Sequence, residues 1–317
     1  MLASFRYNTR FQVSAGILLL VLLFAILGPL LPDRGDPFAT VGGLYNHPSA
    51  RLWLGTDNFG HDVFTQLMYG TRTSLVIGLV AGAIAVMIGV LFGTVSGFRG
   101  GFSEAVLMGV TNVMLAIPPF VVLIVLSFAL ANRNILTMAL VIGVISWPWT
   151  ARAVWAQSSS LRVREHVDVA RLSGAGTMRL ILFEVLPYMA SYVTMAFVLQ
   201  LASAILAEAA LSLLGLGPSN VVSLGIMLHW ALLWESVRTG AWWAFVPPTI
   251  LLTLVAFSLL MLQTSLNEVF NPRLRTEGAA RRRLARPAAG PGPVATAAPV
   301  GAGIAPADTQ PIPGGRP

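Results

Sequence analysis

The chain has 317 residues, 56% of them hydrophobic and only 10% charged, with a formal net charge of +7 and no cysteine. Soluble domains carry about 25% charged residues, so an ordinary soluble fold is excluded and a polytopic membrane protein is indicated. Disulfides and thiolate metal sites are excluded with the cysteines, and a chain whose 20 basic residues are all arginine has no Gly-rich phosphate loop ending in lysine.

A membrane-crossing helix needs about 20 mostly apolar residues. Uncharged runs of that order lie between Arg10 and Asp33, Arg72 and Arg99, Glu104 and Arg133, Arg133 and Arg152, Glu184 and Glu208, and Arg238 and Glu268. The expected fold is an all-α polytopic membrane protein with six transmembrane helices. The expected organisation is a cytoplasmic N-terminus (1–10), a first span (11–32), an extracytoplasmic segment (33–71), a five-helix core (72–270) with a polar loop at 157–179, and a disordered cytoplasmic tail (271–317).

The first apolar run lacks a small-residue cleavage site around Pro29, Leu30, Leu31 and Pro32 and reads as an uncleaved anchor. In the second, Gly78 and Gly82, then Gly89, Gly93 and Gly97, recur at four-residue spacing. Such a face permits close helix approach, within this subunit or at a seam with another. Pro118-Pro119, Pro148 and Pro247-Pro248 permit kinks. The run Ala209 to Trp234 is interrupted by Gly215-Leu216-Gly217-Pro218-Ser219-Asn220 and reads as a broken or re-entrant extracytoplasmic segment rather than a seventh span.

Six spans place both termini on one side. With the N-terminus inside, fifteen arginines fall on inner segments and five on outer ones, so the termini and the 157–179 loop face the cytoplasm. The tail beyond Thr276 is rich in Ala, Pro, Gly and Arg, a composition that stays disordered. Its arginines suit either contact with anionic lipid or a solvated tail that reinforces topology.

The acids Glu104, Glu184, Glu208 and Glu268 fall close to span ends, which argues against an ion-coupled carrier with mid-membrane carboxylates. Gln200, Ser203, Ser127 and Thr194 are candidates to line a pathway. The four histidines are scattered without metal-ligand spacing, and no Ser/His/Asp grouping stands out. The chain is therefore read as a non-enzyme, with no catalytic residue, metal site or cofactor of its own and no nucleic-acid partner. Active transport would require ATP hydrolysis on another polypeptide.

The segment 157–187 is polar and arginine-rich between two apolar runs. Arg164 with Asp168 (i,i+4) and Asp168 with Arg171 (i,i+3) support a short surface helix, Ala170 keeps one face slim, and Gly174 ends the helix in a left-handed turn. The loop suits a docking surface for a soluble partner or an ordinary positive-inside connector.

The stretch Asp168-Val169-Ala170-x3-Gly174 followed by Leu186-Pro187 resembles the EAA loop of binding-protein-dependent ABC transporter permeases. Leu54-Gly55-Thr56-Asp57-Asn58-Phe59-Gly60-His61-Asp62-Val63-Phe64, Tyr69-Gly70-Thr71-Arg72-Thr73-Ser74-Leu75, Ala204 to Gly217 and Asn271-Pro272-Arg273-Leu274-Arg275 resemble, in order, the dipeptide/oligopeptide/nickel permease family, of the second-subunit kind. The resemblance covers about residues 1–275. His61 stands where the family has Arg, Glu184 where it prefers an aliphatic residue, and Asp168-Val169 where it has Glu-Ala.

The resemblance implies an ABC importer type I permease fold and a place in the bacterial or archaeal plasma (inner) membrane. It implies a second homologous permease subunit, two ATP-binding subunits or domains carrying ATP and Mg, and an extracellular substrate-binding protein. Cargo would be di- or oligopeptides, with nickel chelates and oligosaccharides as alternatives in the same family. An ion-coupled carrier and a non-transporting scaffold are the rival classes. Glu165, Asp168, Ala170, Arg171 and Gly174 are the expected ATPase-coupling residues. Trp53, Gly55, Thr56, Asp57, Gly60, Asp62 and Phe64 form an extracytoplasmic motif, near the binding protein or structural.

Overall fold

A computed structural model describes residues 9–30 and 35–270. The 271–275 motif and the tail expected over 276–317 lie outside the described residues. Helices run in the order α1 (Thr9–Leu27), α2 (Val63–Arg99), α3 (Gly101–Ala116), α4 (Pro119–Ala129), α5 (Ile135–Leu161), α6 (Glu165–Leu172), α7 (Thr177–Leu180), α8 (Leu186–Leu213), α9 (Leu224–Leu233) and α10 (Trp242–Phe270). A π-helical turn, Ile181–Val185, joins α7 to α8. There is no β-strand among the described residues, only two isolated bridges, Thr40 with His61 and Thr56 with Asp62.

Among the described residues five helical stretches are long and apolar enough to cross a membrane, and α3 with α4 form a sixth candidate bent by 82°. Glycine contacts settle the crossing number. Gly143 lies against Ala81 and Ile84, Gly89 against Thr150, Gly93 against Val154, and Gly97 against Ser158. Residue numbers rise together, so α2 and α5 run parallel. The chain between them must return across the bundle, and that return is α3 plus α4. The break is where Pro118 and Pro119 withdraw two backbone donors. At the other limit, Arg10 pairs with Glu268 at 3.2 Å, which puts the start of α1 beside the end of α10, as an even number of crossings requires.

The glycine stripe therefore serves packing inside this subunit. A Cβ at Gly89, Gly93 or Gly97 would strike α5, and one at Gly78 would strike Ile205 of α8. Small residues let backbones approach closely where no hydrophobic drive separates helix from lipid.

One boundary differs from the sequence reading, and the break expected in the Ala209–Trp234 run is present. α2 has 37 residues and begins at Val63, not near Arg72, because Asp62 accepts from the backbone N–H groups of Phe64 and Thr65 and caps it there. At 1.5 Å per residue the helix is about 55 Å long and projects beyond a hydrocarbon layer of about 30 Å. The Ala209–Trp234 run folds as the end of α8, a turn, and the ten-residue α9, which is too short to cross.

Candidate functional site

Arg164 precedes α6 in extended conformation (φ −86°, ψ 142°). Its side chain is thus off the helix face, and the expected Arg164–Asp168 pair does not form. Its carbonyl instead accepts from Val167 and Asp168. The Asp168–Arg171 pair does form, at 2.8 Å, with both side chains about half exposed. At the C-terminus Gly174 has φ +82°. Its N–H donates to Arg171 O at 3.0 Å and Ala175 N–H donates to Ala170 O at 3.2 Å. Those two bonds are a Schellman cap, which needs a left-handed residue at Gly174.

One face of α6 is anchored. Val167 is wholly buried in a cluster with Phe98, Val154, Leu180, Ile181, Val185 and Met189, with Ala170 packed against it. His166 stacks on Tyr188 with centroids 4.3 Å apart. The other face is bare: Glu165, Asp168 and Arg171 are exposed, and so are three apolar side chains, Val163 at 73%, Val169 at 63% and Leu172 at 89%. A hollow of about 400 Å³ opens beside α6, lined by Ala170, Ser173, Arg179, Phe183 and Glu184.

The π turn has a local cause. In an α-helix the ring of Pro187 would press on the Phe183 carbonyl, and Pro187 has no N–H to offer it. The wider turn, closed by Leu186 N–H donating to Ile181 O, relieves that conflict. π turns of this kind recur at functional sites. Ile181 and Val185 of the turn share the buried cluster of Val167, so α6 is joined by packing to the joint at the foot of α8.

The Trp53–Phe64 motif, expected to be extracytoplasmic, sits at the opposite end of α2. Asp57 Oδ1 accepts from the backbone N–H groups of Phe59 and His61, both at 2.8 Å. Its Oδ2 meets His61 Nδ1 at 3.0 Å and accepts from Gln66 Nε2 at 2.9 Å. The substituted His61 thus keeps a partner. Thr56 Oγ1 donates to Gly43 O and accepts from Asn46 N–H, while Thr56 O accepts from the Trp243 indole. Gly55 and Gly60 have φ of +65° and +80°, and a Cβ at either would meet backbone oxygen. Trp53 is exposed and its ring meets Phe64 edge-on at 4.9 Å. Apart from Trp53, these residues fold their own segment and seat it on α10. The two sets of candidate residues are therefore not brought together: Asp62 caps the start of α2, and Phe98, near its end, shares the buried cluster of Val167.

The partners of two polar residues named from the sequence, Glu208 and Gln200, were not legible there. Glu208, placed near a span end by charge spacing, is wholly buried in α8. It accepts from Ser74 Oγ of α2 at 2.9 Å and Ser212 Oγ at 2.7 Å, and Ser74 Oγ accepts from Leu224 N–H of α9 at 3.2 Å. The signal available was a serine in each of two quoted motifs. Just beyond, Gly215 has φ +78° and Leu216 N–H donates to Leu211 O, a second Schellman cap that turns α8 toward α9. Gln200, midway along α8, donates both amide hydrogens to α5, to Ser146 O at 2.9 Å and Thr150 Oγ1 at 2.8 Å, across Pro148. Beside it a cavity of about 440 Å³ is lined by Met114, Leu115, Pro148, Gln200 and Ser203. Of the other pathway candidates, Ser127 is buried with no hydrogen-bond partner and Thr194 bonds its own helix.

The family described as binding-protein-dependent transport system inner membrane component matches residues 89–276. A putative peptide transport system permease protein of Brucella suis is 34% identical over 271 residues, 84% of this chain and 89% of that protein. A dipeptide transport system permease protein of Bacillus subtilis is 31% identical over 264 residues, 82% of each chain. An oligopeptide transport system permease protein of Mycobacterium bovis is 31% identical over 265 residues, 83% of this chain and 89% of the relative. The chain belongs to the binding-protein-dependent transport system inner membrane component family.

Proposed function

We propose that this chain is the membrane-spanning permease subunit of an ATP-driven importer of di- or oligopeptides. A second homologous permease completes the pathway, two ATP-binding subunits or domains holding ATP and Mg dock on the α6 side, and a substrate-binding protein delivers cargo at the Asp57 side. The observation that carries the reading is α6 itself: anchored on one face by buried Val167, bare on the other with Leu172, Val169 and Val163 in solvent. An apolar surface of that kind on a rim otherwise rich in charge calls for a protein partner. Relatives of this length are named as peptide permeases, which supports the cargo.

In this reading α6, ending at Gly174, is the coupling helix. Glu165, Asp168 and Arg171 orient the docked ATPase by charge, and Ala170 leaves room beside the adjoining hollow. Closure of the ATPase subunits displaces α6. The shared cluster around Val167 passes that displacement to the π turn at Ile181–Val185, and so to α8. The arginine excess on the α6 side supports a cytoplasmic placement of that side and of both termini, in the inner membrane. Trp53, Gly55, Thr56, Asp57, Gly60 and Asp62 form the folded outer platform, with exposed Trp53 as the contact for the binding protein.

The test is uptake of a labelled tripeptide into proteoliposomes holding both permeases and the ATPase subunits, with binding protein outside the vesicle and ATP inside. Uptake that requires ATP is expected. Uptake that persists with ATP withheld and follows an imposed proton or sodium gradient would identify a secondary carrier instead, and no uptake with intact assembly would identify a scaffold.

A further inference from the structure

The cavity beside Gln200 is largely apolar, with a few polar groups among its lining residues. Pro118 and Pro119 have no N–H, so the carbonyls of Met114 and Leu115, which line the cavity, lose their usual donors four residues on. Gln200 uses both amide hydrogens on α5, and its remaining polar capacity is Oε1, an acceptor. Ser203, one turn further along α8, is exposed and also lines the cavity. No ionisable group lines it. The lining residues thus carry three acceptors without helix donors and one hydroxyl on an apolar background, at mid-span, where unpaired polar groups are costly against lipid.

We propose that this cavity is a cargo-binding site for peptide main chain, in which Gln200 Oε1 and the Met114 and Leu115 carbonyls accept from peptide N–H groups while Ser203 adds a hydroxyl. The inference rests on the peptide reading above. Acceptors without countercharge select donors common to every peptide, amide N–H and the terminal ammonium. The apolar remainder, with Pro148 in it, tolerates varied side chains. Such a site is selective for the class and indifferent to sequence. Gln200 has a second role by geometry. Its amide group braces α5 across Pro148 through Ser146 O and Thr150 Oγ1, so the residue that meets cargo also holds the proline-bearing helix.

The experiment uses the complete transporter in proteoliposomes with its binding protein and a labelled tripeptide. Uptake by the wild type tests the peptide reading by itself; its absence sinks that reading before the variants are scored. Given wild-type uptake, Gln200→Leu should lower the maximal rate by up to about tenfold, the range of one lost hydrogen bond, with the half-saturating concentration of loaded binding protein unchanged. Thr150→Val, which cuts one brace partner and leaves Oε1 in place, should stay near wild type. An equal fall in both variants would make Gln200 a brace only and overturn the cargo contact. Ser203→Cys gives an independent reading, because the chain has no other cysteine. Its thiol should react with a charged, water-soluble maleimide, and turnover with peptide-loaded binding protein should slow the labelling. A thiol that the reagent never reaches, or that labels at the same rate with and without peptide, overturns the site.

Discussion

Ser74 Oγ of α2 donates to Glu208 Oε2 of α8 at 2.9 Å, and the same serine oxygen accepts from the Leu224 N–H at the start of α9. One buried carboxylate thus ties α2 to α8, and through Ser74 to the start of α9. Glu208→Ala would strand the hydroxyls of Ser74 and Ser212, at about 1–3 kcal/mol for each orphaned buried donor. A lower thermal midpoint of the purified chain is expected, with Glu208→Gln much milder because its amide oxygen still accepts. Equal midpoints for Glu208→Ala and wild type would show that the tie contributes nothing.

Gly174 closes the Schellman cap with φ +82°, a conformation that costs other residues about 1–2 kcal/mol. No atom crowds the position, so the demand is purely one of backbone. Gly174→Asn, a residue that tolerates this region, should keep most uptake. Gly174→Val should lose most of it, along with the end of α6. Parity of the two variants in an ATP-dependent uptake assay would rule out a conformational role.

Leu172 is 89% exposed, so Leu172→Glu leaves the fold alone. Burying a leucine side chain is worth about 1.5–3 kcal/mol, and its loss should weaken ATPase association tenfold or more. Pull-down of the ATPase subunits by tagged permease reads this directly, with an unchanged melting profile as control. Full recovery of the ATPase would remove α6 as the docking face.

Pro187 causes the π turn at Ile181–Val185. Pro187→Ala restores the N–H that lets residues 181–187 close as ordinary α-helix, which rotates α6 and its buried cluster relative to α8. Assembly with ATPase should persist while peptide imported per ATP hydrolysed falls severalfold. An unaltered ratio would show that the joint takes no part in coupling.

Much of this was legible in the sequence because the membrane imposes a coarse rule, about 20 apolar residues per crossing, and charges punctuate the runs. The cap at Gly174 and the break at Pro118-Pro119 were legible for a similar reason, since glycine and proline act through local backbone. What depended on distant partners was not. Glu208 looked like a span-end acid because Ser74, its partner, lies 134 residues away. The glycine stripe left two uses open until the parallel packing of α2 on α5 placed its Cα positions against Thr150 and Ser158. The Arg164–Asp168 pair failed for a subtler reason: spacing assumes both residues are helical, and Arg164 is the extended residue before the first turn. Gln200 was named as a pathway candidate, but its brace across Pro148 requires knowing which face of α8 meets α5.

The central claim, that α6 is where this permease meets its ATP-hydrolysing partner, is tested most directly by site-specific cross-linking in the assembled transporter. Val169→Cys carries the probe on the bare face of α6, and Trp53→Cys, exposed at the far end of α2, serves as control. A photoactivatable maleimide at residue 169 should join this chain to the ATPase subunit, and the same reagent at residue 53 should not. An active complex in which residue 169 yields no ATPase adduct would contradict the account.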